Sequence, residues 1–252
     1  MNGFEKHGIS YTSPSQLNMY AAAPCAWVAQ YLFKKRGAYG VAAQIGILVE
    51  DVVKHVLTGG CIEEAISAAE NRFRKQTAIG VSEKDRDRIS NIRDMAEIAV
   101  EELAPYGEPE YLKTIKGYEQ QRIELNCNGA GWVLPVIGYL DFVFPSHNLI
   151  VDLKTTLRAP SVISAPHKRQ GAIYAKAKGF DCKFLYVTPK KSVWHDIEDI
   201  DETLTEVKTI LNRQEKFLRL GDKDKLKESV PVNMDTFYWT GAEQHRDELY
   251  GL

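Results

Sequence analysis

The chain has 252 residues, 44% of them hydrophobic and 26% charged, a balance that supports a packed core and excludes a disordered or fibrous chain. Its 32 Lys and Arg against 34 Asp and Glu leave a net charge of −2, which excludes a surface coated in positive charge while leaving room for a local basic groove. No apolar run approaches the ~20 residues of a bilayer span, and the opening MNGFEKHGISYTSPS lacks the apolar segment of a secretory signal, so a cytoplasmic protein without membrane association is expected.

In chain order, Ser13-Pro14 is a helix-start pair, and Pro24 is expected to divide residues 13–33 into two short helices. Lys34, Lys35 and Arg36 follow. Residues 41–57 repeat at helical spacing, with Val49, Val52, Val53 and Val56 on one face. Residues 62–78 and 83–105 also read as helices, the second charged early and apolar late. The pattern then switches to strands at 118–125, 132–144 and 149–155, joined by Asn/Gly-rich and Pro-Ser-His-Asn turns. A helix over 165–178, strands at 184–189 and 192–197, and a helix over 201–219 complete the order before a polar, then aromatic, tail. The expectation is one α/β (α+β) domain over 1–252: a helix-rich part to 105, a β-meander and core over 106–200, and a helical tail over 201–252. Cys25, Cys61, Cys127 and Cys182 form no CxxC pair, so neither a disulfide framework nor a zinc site is expected.

The stretch GYLDFVFPSHNLIVDLKTT (138–156) puts three charges into two apolar strands. A turn centred between Ser146 and His147 pairs residues whose numbers sum to 293, so Asp141 faces Asp152 with Cβ atoms roughly 5 Å apart. Lys154 joins them on that face and Leu153 points away. Two carboxylates so close are destabilising unless a cation sits between them, and a divalent metal with oxygen ligands would resolve the conflict. A solvated sheet face on which Lys154 neutralises an Asp accounts for the same residues. Glu50 interrupts an apolar helix one turn after Gly46; an exposed helix carboxylate is its plain alternative. Gln170 and Tyr174 share a helical face beside Lys168 and Arg169; a polar face with a snorkelling Tyr is theirs.

Taken together, GxxD (Gly138, Asp141), DxK (Asp152, Lys154) and QxxxY (Gln170, Tyr174) resemble the RecB-type branch of the PD-(D/E)XK nucleases. The opening SPSQLNMYAAAPCAW is similar to the Ser-x-Ser segment of that branch, and the likeness covers about residues 13–190. It implies a restriction-endonuclease-like core, a central mixed sheet flanked by helices with a helical N-terminal part. It also implies a metal-dependent DNA exonuclease of recombination, repair or phage DNA processing. Glu50 stands where the branch has His; phage exonucleases such as lambda exonuclease place a carboxylate there, so Glu50 is implied as a harder ligand. The implied metal ligands are Glu50, Asp141, Asp152 and the Leu153 carbonyl, holding Mg²⁺ or Mn²⁺, with Lys154 catalytic alongside the carboxylates. Ser13, Ser15, Lys168, Arg169, Gln170 and Tyr174 are implied on the DNA side, Tyr174 stacking on a base or bonding a phosphate. Lys34, Lys35, Arg36, Lys190 and Lys191 are further candidate phosphate contacts. Some relatives hold an iron–sulfur cluster with one early and three late cysteines. Here Cys25 matches the early one but none follows Cys182, so no cluster is expected. The implied partner is DNA with a free end, in a bacterial or phage-infected cell, with a single-strand annealing or single-strand-binding protein as a further candidate. An endonuclease and a non-catalytic DNA-binding module remain the alternatives.

Overall fold

Asn2, Ser13 and Ser82 cap helix starts in the N-terminal half with their side chains. The computed structural model describes residues 1–114, 117–125 and 132–251; Cys127 and the Asn/Gly-rich turn lie outside these. A capping box between Asn2 and Glu5 opens α1 (Gly3–Lys6). The Ser13 hydroxyl accepts the Gln16 N–H and Pro14 takes the first helical position of α2 (Pro14–Ala22). Pro24 does divide the segment: α3 (Pro24–Trp27) starts there and loosens into a π turn over Val28–Leu32.

The amphipathic helix α4 (Val41–Leu57) packs against α5 (Ile62–Gln76) through Val49, Val52, Ile66 and Phe73, all buried. The expected single helix over 83–105 is broken. Ser82 caps a four-residue α6 (Glu83–Arg86), a tight turn follows over Asp87–Ile89, and α7 (Ser90–Leu103) begins afresh. No residue of α6 or of that turn is buried, so no apolar face holds the charged run in line with α7. In α7, by contrast, Ile92, Met95, Ala96, Ala99 and Leu103 are all buried at helical spacing.

The strands are β1 (Leu112–Thr114) paired with β2 (Gly117–Glu119), β3 (Gln121–Leu125) paired with β4 (Val136–Leu140), and a sheet of order β5-β6-β7-β8. In that sheet β5 (Phe142–Phe144) runs antiparallel to β6 (Leu149–Thr155), β6 parallel to β7 (Asp181–Val187), and β7 antiparallel to β8 (Ser192–Asp196). The parallel pair is joined through α8 (Ala165–Lys178), as a parallel connection requires a crossover. Three helices follow: α9 (Ile200–Arg219), α10 (Lys223–Ser229) and α11 (Glu243–Tyr250).

The register is the expected one: Phe142 faces Val151, Val143 faces Ile150 and Phe144 faces Leu149. The expected strand over 132–144 is cut at Asp141, where the backbone bends and β4 leaves β6 to pair with β3. The sheet is covered on both faces. Phe142, Phe144, Leu149, Val151 and Leu153 pack with α4, α5 and α7; Val143, Ile150, Phe184 and Tyr186 pack with α2, α8 and α9. This is a mixed sheet between helical layers, consistent with a restriction-endonuclease-like fold. Among the described residues no helix is long and apolar enough to cross a membrane.

Candidate active site

The bend at Asp141 opens the sheet. Its carboxylate Oδ2 accepts the backbone N–H of Leu153 at 3.0 Å, a side chain standing in for the strand partner that a regular ladder would supply. The β5–β6 ladder therefore ends at Phe142–Val151, and the next facing positions, Asp141 and Asp152, sit where β4 and β6 diverge. Asp152 is 1% exposed. The Lys154 ammonium lies against its Oδ1, which makes no further hydrogen bond, and Oδ2 accepts from Gln170 Nε2 at 2.7 Å.

Helix α4 brings Glu50 to the same place. Gly46, one turn earlier, is where the helix meets β6: a Cβ there would stand 3.1 Å from Thr155 Oγ1. Between Glu50 and Asp141 stands Gln120, whose Nε2 donates to Glu50 Oε1 at 2.7 Å and to Asp141 Oδ1 at 3.0 Å. One amide nitrogen thus holds two carboxylates that repel each other. Gln120 lies between two strands and belongs to no motif, so sequence reading missed it.

Electrostatics follow from this crowding. Burial, then the neighbouring Asp152 and Glu50 charges, pushes the Asp141 carboxyl well above its ordinary range. Burial also raises Asp152, against the opposing pull of Lys154 and Gln170. Glu50 is pushed up to about 7 by burial and by the charges of Asp51 and Asp152. Burial works against the Lys154 charge, but Asp152 and Asp141 outweigh it and hold the amine protonated.

Helix α8 forms the adjoining wall. Gln170 Nε2 also reaches the Tyr174 hydroxyl at 3.0 Å. The expectation that Tyr174 stacks on a base is corrected: it is 5% exposed, its ring packed over Gly138, where a Cβ would meet Tyr174 Cε1 at 2.4 Å. Arg169 is likewise not a free cation for phosphate. It is 7% exposed, donates to Asn18 Oδ1 at 2.7 Å and pairs with Glu206 at 2.7 Å, tying α8 to α2 and α9. His167, which sequence reading also missed, hydrogen bonds the Tyr186 hydroxyl. Its pKa is lowered to about 4 by burial and by the Lys154 charge, so it is neutral at pH 7.

Ser13 and Ser15, hydroxyls 2.9 Å apart, line a cleft of about 840 Å³ that Gln170, Tyr174 and His167 also line. Lys168 is partly buried on α8; Lys190 and Lys191 are exposed on the β7–β8 turn. Lys34 is exposed, Lys35 pairs with Glu248 at 2.9 Å, and Arg36 lies over the Tyr31 ring. A second cavity, about 400 Å³ between α4 and α5, is lined by Leu48, Val52 and Ala65 together with the Asp51–Arg72 pair; none of Glu50, Asp141 and Asp152 reaches it.

Among the described residues no three Asp, Glu, His or Cys side chains close on one point as a metal cluster does. What stands there is a carboxylate pair bridged by an amide, with a third carboxylate paired to an ammonium. The donor set is all oxygen and anionic, which suits a hard divalent cation and not a soft one. The raised carboxyl pKa values of Glu50, Asp141 and Asp152 mark a place where positive charge would be stabilising.

A family model described as the PD-(D/E)XK nuclease superfamily matches residues 11–229, a span that includes Glu50, Asp141, Asp152, Lys154 and all of α8. No curated protein matches the chain. Twelve solved chains match. One of them, titled "Crystal structure of SSO0001", is 16% identical over 66% of this chain and 75% of that one, with a TM-score of 0.36.

Proposed function

This chain belongs to the PD-(D/E)XK nuclease superfamily, and on that premise we propose that it is a metal-dependent deoxyribonuclease. It hydrolyses phosphodiester bonds from a free DNA end, in recombination, repair or the processing of phage DNA. The observation that carries this reading is the divergence of β4 from β6. It leaves Asp141, Asp152 and Lys154 together behind Gln170, a residue of the cleft lining, with Glu50 delivered from α4.

Glu50, Asp141, Asp152 and the Leu153 carbonyl would hold Mg²⁺ or Mn²⁺. When bound, such an ion relieves charge on the phosphate and makes hydroxide accessible near neutral pH. The protein's own groups do the rest. Lys154, kept protonated by the two aspartates, presents a compact positive charge that orients water and offsets the charge developing on phosphorus-bound oxygens. Gln170 fixes the Asp152 carboxylate by taking Oδ2, and the Tyr174 hydroxyl holds Gln170 in turn. Attack from an end is supported by the carboxylate at position 50, the feature shared with the phage exonucleases that the sequence resembles.

The test is digestion of end-labelled linear DNA and of covalently closed circular DNA in Mg²⁺, Mn²⁺ or EDTA. Linear DNA is degraded with either metal, circles survive, and EDTA stops the reaction. Asp152→Asn and Lys154→Ala abolish it while circular dichroism shows the fold retained. Cleavage of closed circles would convert the reading to an endonuclease; undiminished digestion by the variants would remove the site.

A further inference from the structure

The cleft beside the carboxylates has a chemistry of its own. It is built from distant stretches of chain, among them the segment running into α2, strands β3 and β4, helix α8 and the turn at Phe237 and Tyr238. Its lining includes Tyr11, Tyr139 and Phe237, which are 49%, 54% and 75% exposed. Phe237 is backed by Tyr238, ring centroids 4.0 Å apart. Tyr139 stands directly across from Arg122 in the β3–β4 ladder, so a ring and a guanidinium, the latter paired at the exposed surface with Glu124 at 2.7 Å, occupy neighbouring positions on one face. Arg36 supplies a second cation, and Asn18 and Gln170 add amide groups to the lining.

Water is a poor partner for ring faces, and the exposed side chains here are aromatic and not aliphatic. Rings interleaved with arginines around a polar-lined cleft form a stacking platform beside a phosphate-attracting rim, the pattern that takes unpaired bases. A duplex keeps its bases stacked inside and offers these rings nothing to stack on. The volume, about 840 Å³, falls in the range that encloses a ligand of small-molecule size, and so admits individual nucleotides. The lining includes Gln170, which donates to Asp152 and so joins the cleft to the carboxylates.

We propose that this cleft binds an unpaired stretch of DNA, its bases stacked on Tyr11, Tyr139 and Phe237 and its backbone led inward to Asp152. The enzyme therefore acts on single-stranded ends in preference to fully paired ones. The inference rests on the nuclease reading for its direction toward Asp152, but the binding it predicts is measured without cleavage.

The experiment is fluorescence anisotropy of the wild-type protein in EDTA with labelled single-stranded DNA, a blunt duplex of the same length and a single-stranded RNA of the same sequence. The single-stranded DNA binds at least about tenfold tighter than the duplex, and Tyr139→Ala and Phe237→Ala each weaken it about five- to hundredfold while leaving duplex binding as it was. Tyr139→Phe, which keeps the ring, restores native affinity; both positions are exposed, so melting temperatures stay near wild type. Equal affinity for duplex and single strand, or native affinity in the alanine variants, overturns the proposal while leaving metal-dependent cleavage to stand on its own assay. RNA bound as tightly as DNA overturns the assignment to DNA. Single-strand binding that behaves as stated, in a protein that cleaves nothing with any metal, overturns the nuclease reading and leaves the cleft intact.

Discussion

At its closed end the β5–β6 ladder sets Phe142 against Val151 and Phe144 against Leu149, with Phe142, Val151 and Phe144 each no more than 1% exposed. One residue further along, at its open end, the same register sets Asp141 against Asp152, and Lys154 follows. The closed end gains from dispersion and from removal of apolar area from water. The open end works against stability: it crowds anions and gives a backbone N–H to a side chain. The difference shows how one hairpin divides its labour, the closed end fixing the register that the open end needs to bring its charges together.

Four changes break or sharpen that contrast. Phe142→Ala, at the closed end, costs about 3–5 kcal/mol of stability by leaving a cavity, measured by urea unfolding, while cleavage per folded molecule stays near native. Lys154→Ala does the reverse at the open end: cleavage falls by about 100-fold or more in a metal-saturated rate assay, and the fold persists. Gly138→Ala lies at the boundary, on β4. Its new Cβ meets the Tyr174 ring, costs about 1–3 kcal/mol as overpacking, and slows cleavage by shifting the Tyr174–Gln170–Asp152 chain; a crystal structure of the variant would show that shift.

The smallest effect is one of pH. In metal-free protein the Glu50 carboxyl is raised to about 7 from its ordinary value of about 4.3. Between those values the folded state holds a proton that the unfolded state releases, so this group's contribution to stability is full at the acid end and is lost as pH rises to about 7. Melting temperature measured in EDTA therefore declines across this window, and Glu50→Gln flattens the decline. A slope unchanged by Glu50→Gln would detach Glu50 from the carboxylate cluster.

Much of this was legible in the residues. The helical repeat over 41–57 and the helix over 165–178 emerge with the expected bounds, the first through its amphipathic repeat and the second through Pro166 in its first turn and the left-handed Gly179 at its end. The hairpin register was legible because the turn and the apolar pattern admit one phase. The cut at Asp141 was not, since periodicity continues through it and the cause is a side chain bonding a backbone twelve residues away. Gln120 carries no pattern at all, and only the fold places it between Glu50 and Asp141. Arg169 and Tyr174 were assigned to DNA from residue type and helical face; burial, which a single sequence does not display, sets Arg169 to bracing helices and Tyr174 to holding Gln170.

The central claim is that the divergence of β4 from β6 is a cation site. Isothermal titration of the protein with Mn²⁺ at pH 7.5 tests it without any nucleic acid present. Saturable binding that is lost in Asp141→Asn and in Asp152→Asn is the predicted result; binding of equal strength in those variants and in the native chain would contradict it.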